Sequence, residues 1–156
     1  MTGVQPDLVR GLSEEETVGF LSLGVPNRLA SGQILFRLGL EADKAYLVMR
    51  GRIALTLPIQ IRGGEEEVVV EEKLPGETVG WSGLVPPHRF TLNAGAAIDS
   101  ELLAFSRASV LDHFAAHPAV GHTVTRNLAA VIGRRLQVFQ TMWMREVQRV
   151  VEQRYS

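Results

Sequence analysis

From Ile53 to Arg62 the chain reads Ile-Ala-Leu-Thr-Leu-Pro-Ile-Gln-Ile-Arg, with a large aliphatic residue at every odd position. The period of two predicts a strand with one buried face. Pro58 has no amide hydrogen to give a ladder, so it belongs at an edge or a bulge. Gly63 and Gly64 tolerate positive φ and predict a tight turn, with Val68, Val69 and Val70 in the returning strand. Shorter strand-like runs fall at 33–38, 45–50, 90–97 and 101–105, separated by Gly32, Gly39, Gly51, Gly76 and Gly80. Many short strands cut by glycine turns predict a β-sandwich, jelly roll or barrel.

The ends of the chain carry helical signals instead. Ser13 with Glu16 has the capping-box form and predicts a helix over about 14–23, ended near Gly24 and Pro26. Ser106 suits the cap of a helix over 107–116, and Pro118 suits the first position of another. In that last helix Leu128, Ile132, Leu136, Phe139, Trp143, Val147 and Val150 follow each other by steps of three and four. They therefore share one face for some six turns. Val124, Val131, Val138, Met142 and Val151 flank the row, and Arg134, Arg135, Arg145, Arg149 and Arg154 are interleaved with it. A helix of 118–155 is about 55 Å long and overhangs a domain with a radius of gyration of about 15 Å. The overhanging stripe needs cover, and a second copy of the chain supplies it. The seven stripe residues are thus the expected homodimer interface. An Arg-rich amphipathic helix also suits a membrane surface, but Phe139 and Trp143 sit on the regular stripe, so no membrane partner is expected.

Charge divides the chain where the pattern does. Of 16 basic and 17 acidic side chains, six Arg and two Glu lie after residue 117, a net of +4. The ten basic and fifteen acidic residues of 1–117 leave −5. The organisation expected is one domain over 1–156, with an acidic β part at 1–117 and a basic helix at 118–156. Its 156 residues suffice for a core without staples, and it has no cysteine, hence no disulfide or thiolate site. The N-terminus lacks a secretory signal, and the expected location is the cytoplasm.

Enzyme chemistry finds little support. His113 and His117 stand four apart beside Asp112, but Pro118 follows at once, and surface histidines at a helix junction are the plainer reading. The strand region holds only His88, so the metal site of a cupin is not expected. Ser82 lies near Gly80 and Gly83 without a nucleophile elbow, and no phosphate-loop or dinucleotide fingerprint occurs. Glu65 to Glu67, Glu71 and Glu72 read as a solvated hairpin. No catalytic residue and no metal ligand is assigned.

Several stretches, in order, resemble the cyclic-nucleotide-binding domain, as in the bacterial catabolite-activator and FNR-type regulators. They are Leu12-Ser13-Glu14-Glu15, Ala30 to Gly39, Ala45 to Leu55, Leu74-Pro75-Gly76-Glu77-Thr78-Val79-Gly80 and Asp99 to Ala104. The resemblance implies a β-roll of double-stranded β-helix type. A short N-terminal helix and a long C-terminal dimerisation helix would flank it. It also implies a regulatory, non-enzymatic role, with cAMP or cGMP as the possible effector. In that family a Gly-Glu pair opens a phosphate-binding cassette, and an Arg followed by Ser or Thr closes it. The carboxylate accepts from a ribose hydroxyl, and the Arg holds the cyclic phosphate.

Here the cassette runs from Val79 to Thr91. Gly80 and Thr91 match, Trp81 stands where the Glu belongs, and Phe90 stands at the Arg position with Arg89 one residue early. An indole cannot accept that hydrogen bond, and a one-residue slip on a strand reverses the face. The ligand-pocket candidates are Gly80, Trp81, Ser82, Arg89, Phe90 and Thr91. Trp81 and Phe90 are expected to fill the pocket or to suit a flatter, more apolar ligand. The family's regulators continue into a winged helix-turn-helix. This chain ends at Ser156, where that module would begin, so specific DNA binding is not expected. The leading expectation is a ligand-sensing regulatory domain with a degenerate cassette. The alternatives are a true cAMP or cGMP receptor and a protein-binding scaffold without a small ligand, with a cupin-like enzyme behind them.

Overall fold

The computed structural model describes residues 4–155. Two four-stranded antiparallel sheets form a roll, and three α-helices, α1 (Glu14–Leu21), α2 (Arg107–Ala116) and α3 (Pro118–Tyr155), lie against one of them. The first sheet has the order β1-β8-β3-β6, made of Val25–Leu29, Ser100–Ser106, Lys44–Arg50 and Thr78–Val79. The second has the order β2-β7-β4-β5, made of Ile34–Phe36, Asn93–Ala96, Ile53–Ile61 and Gly64–Lys73. The expected β-roll is therefore present, with a short helix before it and a long helix after it.

The two sheets differ in what covers them, and their sequences show it. In β4, Ile53 and Leu55 enter the roll interior while Ala54 and Thr56 are half-buried on the other side. A sheet with one wet face needs only alternate apolar residues. The first sheet is covered on both sides. In β3, Val48 and Tyr46 join the roll interior, and Leu47 and Met49 join a second cluster with the helices. In β8, Leu102 faces the interior, and Leu103 and Phe105 face the helices. Such strands read as continuous apolar runs.

The local signals hold closely. Ser13 and Glu16 make both capping-box bonds, at 3.1 and 2.9 Å. Ser106 accepts from the Ser109 amide at the start of α2. The hairpin turn sits one residue earlier than expected: Ile61 pairs with Gly64, leaving Arg62 and Gly63 as the loop, with Gly63 at φ 76°. Pro58 lies beyond the stretch of β4 that pairs with β7, and a register shift falls between Leu55 and Thr56.

Two corrections follow. The first helix ends at Leu21, and the segment after it is strand β1, an edge strand paired only with β8. Of β1 only Leu29 is buried, so it carries no alternation that would announce it. The two-residue β6 is likewise too short for a pattern.

Helix α3 is bound to the roll along its first half. Val120, Gly121, Val124, Leu128, Val131 and Arg135 are buried. A Cβ on Gly121 would stand 3.0 Å from the Phe114 ring, so glycine permits the close approach of α2 and α3. The Asn127 amide donates to the Leu8 and Arg10 carbonyls at 2.8 Å, tying α3 to the N-terminal segment. Asp7 in turn accepts from the amide and the hydroxyl of Thr78, which ties that segment to β6.

Candidate functional site

The cassette residues occupy the turn after β6. Gly80 is left-handed (φ 73°), Trp81–Gly83 make one 3₁₀ turn, and a cis Pro86–Pro87 bond leads to His88 at φ 59°. Gly83 lies against the backbone of β3, where a Cβ would overlap the Lys44 carbonyl. Its own carbonyl accepts from Arg107, which also bonds the Ala42 carbonyl. The start of α2 is thus fastened to the turn. The His88 ring donates from Nδ1 to the Ser82 carbonyl, 3.0 Å.

The six pocket candidates do not all converge. Arg89 is exposed, its backbone pairs with that of Glu41 as an isolated antiparallel β-bridge, and its side chain donates to the Gly39 carbonyl at 3.0 Å. It is not in the pocket wall. Phe90 is buried in the roll and stacks on Phe36, with centroids 3.7 Å apart and planes 4° apart. Trp81 is half-buried; it borders the pocket and packs on the helix-side cluster. Its ring packs with the helix-side cluster rather than with the roll cluster. Gly80, Ser82 and Thr91 do line the pocket, with Phe36, Leu55 and Leu92.

The remaining wall residue is Arg135 of α3, absent from the candidates expected from sequence. Its side chain is 8% exposed, and its Nε donates to Glu71 of β5 at 2.8 Å. Lys73, 7% exposed, holds the other oxygen of the same carboxylate at 2.8 Å and lies 3.9 Å from Glu77. Burial alone would raise the Glu71 pKa, but the bonds and charges of Lys73 and Arg135 outweigh it and hold the carboxyl below its ordinary value. The sequence does contain a signal for Arg135. Val124, Leu128, Val131 and Arg135 follow by four, three and four, which puts the arginine on the buried face.

With these side chains in place, the pocket encloses about 10 Å³. That is room for about one water. Larger hollows lie elsewhere. One of about 470 Å³ sits between α1 and the α2–α3 elbow, lined by Glu15, Glu16, His113 and His117 among others. There the two imidazole centroids are 4.6 Å apart, and burial together with the His117 charge lowers the His113 pKa. Among the described residues no group of three or more His, Asp or Glu is placed to hold a metal ion.

The seven stripe residues of α3 also divide. Leu128 is buried, Ile132 packs on the helix-side cluster, and Phe139 packs on the roll cluster. The stripe is therefore not one uncommitted surface, because its first part is already covered by its own chain. Leu136, Trp143, Val147 and Val150 are exposed. No helix among the described residues is long and apolar enough to cross a membrane.

Residues 26–117 match the family model described as the cyclic nucleotide-binding domain. The chain belongs to the cyclic nucleotide-binding domain family. Within that family it is 32% identical over 130 residues to a cyclic AMP receptor protein of Thermus thermophilus, covering 83% of this chain and 57% of the relative. The chain thus spans a little over half the length of this curated relative. A crystal structure of the Thermus thermophilus catabolite activator protein matches with a TM-score of 0.73 and 29% identity, over 88% of this chain and 61% of that one. A cyclic nucleotide-binding domain from Methylobacillus flagellatus superposes with a TM-score of 0.76 at 16% identity, over 86% and 74% of the two chains, and so supports the fold alone.

Proposed function

We propose that this cyclic nucleotide-binding domain is a regulatory sensor, cytoplasmic and without catalysis, whose cassette does not recognise cAMP or cGMP in the family's ordinary way. The supporting observation is the position of Arg89. The only cassette arginine points outward to the Gly39 carbonyl, and Phe90 takes the inward position. Trp81, in place of the carboxylate, has no acceptor for a ribose hydroxyl. The pocket is joined to helices at two points, through Arg107 to α2 and through Arg135 to α3. A ligand that moved the turn would therefore act on both. Isothermal titration with cAMP and with cGMP tests the reading. The expected outcome is no micromolar binding of either, and micromolar binding would restore the plain receptor reading.

The same proposal includes a homodimer through the exposed part of α3, where Leu136, Trp143, Val147 and Val150 lack cover. Sedimentation is expected to show a dimer for the native chain and a monomer for Trp143→Asp. A monomeric native chain would remove the dimer from the proposal. Specific DNA recognition is not assigned to these residues. A second reading, a protein-binding scaffold with no small ligand, is favoured by the small pocket volume of about 10 Å³.

A further inference from the structure

The first residues of a domain stay loose unless something ties them down. Here they are tied on two sides. Pro6, Leu8 and Val9 are buried, and Leu8 and Val9 sit with Phe20, Phe105, Val124 and Leu128 in the helix-side cluster. On one side Asp7 accepts from the Thr78 amide at 3.0 Å and from its hydroxyl at 2.5 Å, and the Asp7 amide donates to the Gly76 carbonyl at 2.8 Å. Gly76, at φ 91°, leaves room for the segment: a Cβ there would stand 2.8 Å from the Val4 side chain. On the other side the Leu8 and Arg10 carbonyls accept from Asn127 of α3. A Cβ on Gly11 would rest 3.6 Å from Thr123, one turn earlier on the same face of that helix.

The two sides are one peptide unit apart. The carboxylate of Asp7 holds Thr78, and the carbonyl of the next residue holds Asn127. Asp7–Val9 make a single 3₁₀ turn, closed by the Val9 amide on the Pro6 carbonyl at 3.2 Å. A planar peptide inside a closed turn has little give. Thr78 lies two residues before Gly80, where the cassette turn begins. Asn127 lies within the buried half of α3, between Val124 and Leu128. The link runs through the helix-side cluster and not through the roll interior.

We propose that residues 5–12 are a coupling strap between the cassette turn and the long helix. A displacement of the turn at Thr78 is carried by Asp7 to the Leu8 carbonyl and so to Asn127, and a displacement of α3 returns the same way. The strap goes beyond the sensor reading and needs no ligand in the pocket. Anything that shifts the N-terminal segment acts on both of its ends.

Hydrogen exchange on the full chain tests the strap, with the β4 amides of the same sample as the reference for global opening. The variants are Asp7→Ala, Asn127→Ala and the two together. In Asp7→Ala the α3 amides at 124–131, whose own bonds lie within the helix, are expected to exchange about tenfold faster relative to β4, as the loss of one charge-assisted hydrogen bond implies. In Asn127→Ala the amides at 78–83 are expected to exchange severalfold faster, because coupling is reciprocal. The double variant should exceed the faster single by less than about twofold in either segment, since two cuts in one link sever it once. Acceleration confined in each variant to the end that was cut overturns the strap and leaves two separate anchors. A double variant whose acceleration is the product of the two single effects overturns it as well. If Asp7→Ala fails to fold, Thr78→Val makes a milder cut by removing only the hydroxyl bond, and unaltered exchange at 124–131 in that variant overturns the strap too.

Discussion

Between Val120 and Arg135, helix α3 buries six residues; from Leu136 to Tyr155 it buries none. The apolar period runs on unchanged from one half to the other. The first half faces Phe20, Phe105 and Val110 across the helix-side cluster, and the second half, past Phe139, faces no element among the described residues. Periodicity therefore identifies which side of a helix avoids water, and the fold decides how far along its own domain can satisfy that side. The boundary falls at Arg135, where the buried stripe ends on a charge held by Glu71 rather than on another aliphatic.

The sharpest way to break this contrast is a pair of substitutions read by denaturant unfolding. Leu128→Ala removes a buried side chain and should cost about 2–5 kcal/mol. The same experiment on Val147→Asp, at a concentration where the chain is monomeric, should show a change within about 0.5 kcal/mol. Equal losses at both positions would mean that the distal half is also packed on its own domain.

The boundary itself is open to a pH measurement. The folded Glu71 carboxyl titrates below its ordinary value, so the unfolded chain takes up the proton first as pH falls. The stability it contributes is complete above the unfolded pKa and is lost as pH drops through the folded one. Glu71→Gln should flatten that acid limb of the unfolding midpoint. A limb of unchanged steepness would place the acid sensitivity on other carboxylates.

A smaller effect calibrates the scale away from α3. Ser13→Ala breaks the capping box of α1 and should cost about 1 kcal/mol, seen as a modest fall in the melting temperature. The distal variant Val147→Asp remains the smallest of the four on the stability axis, although the dimer proposal predicts that it too lowers self-association.

How much of this was legible in the chain depends on whether the cause was local. The caps at Ser13 and Ser106, the limits of α2 and the start of α3 at Pro118 are set by neighbours within four residues, and they stand where the sequence puts them. Strand β1 was missed because an edge strand with one buried residue has no stripe. The pocket was harder. The one-residue offset of Arg89 was visible by register, while its bond to the Gly39 carbonyl, 50 residues away in the chain, was not. The Arg135–Glu71 pair spans 64 residues, and nothing local links them. The phase of Arg135 on the buried face was the available clue, but the row through Leu136 and Trp143, about a quarter turn round the helix and sharing Leu128 with it, is the longer one.

Phe139 is the last residue of α3 that packs on the roll clusters, and the helix runs on to Tyr155. At a rise of about 1.5 Å per residue the free arm is about 24 Å long. A tilt of about 5° at its base would carry its tip roughly 2 Å, comparable with the sliding of packed helices in known switches. A small tilt at the base of the arm would thus be magnified mechanically at the far end, where Trp143, Val147 and Val150 stand uncovered.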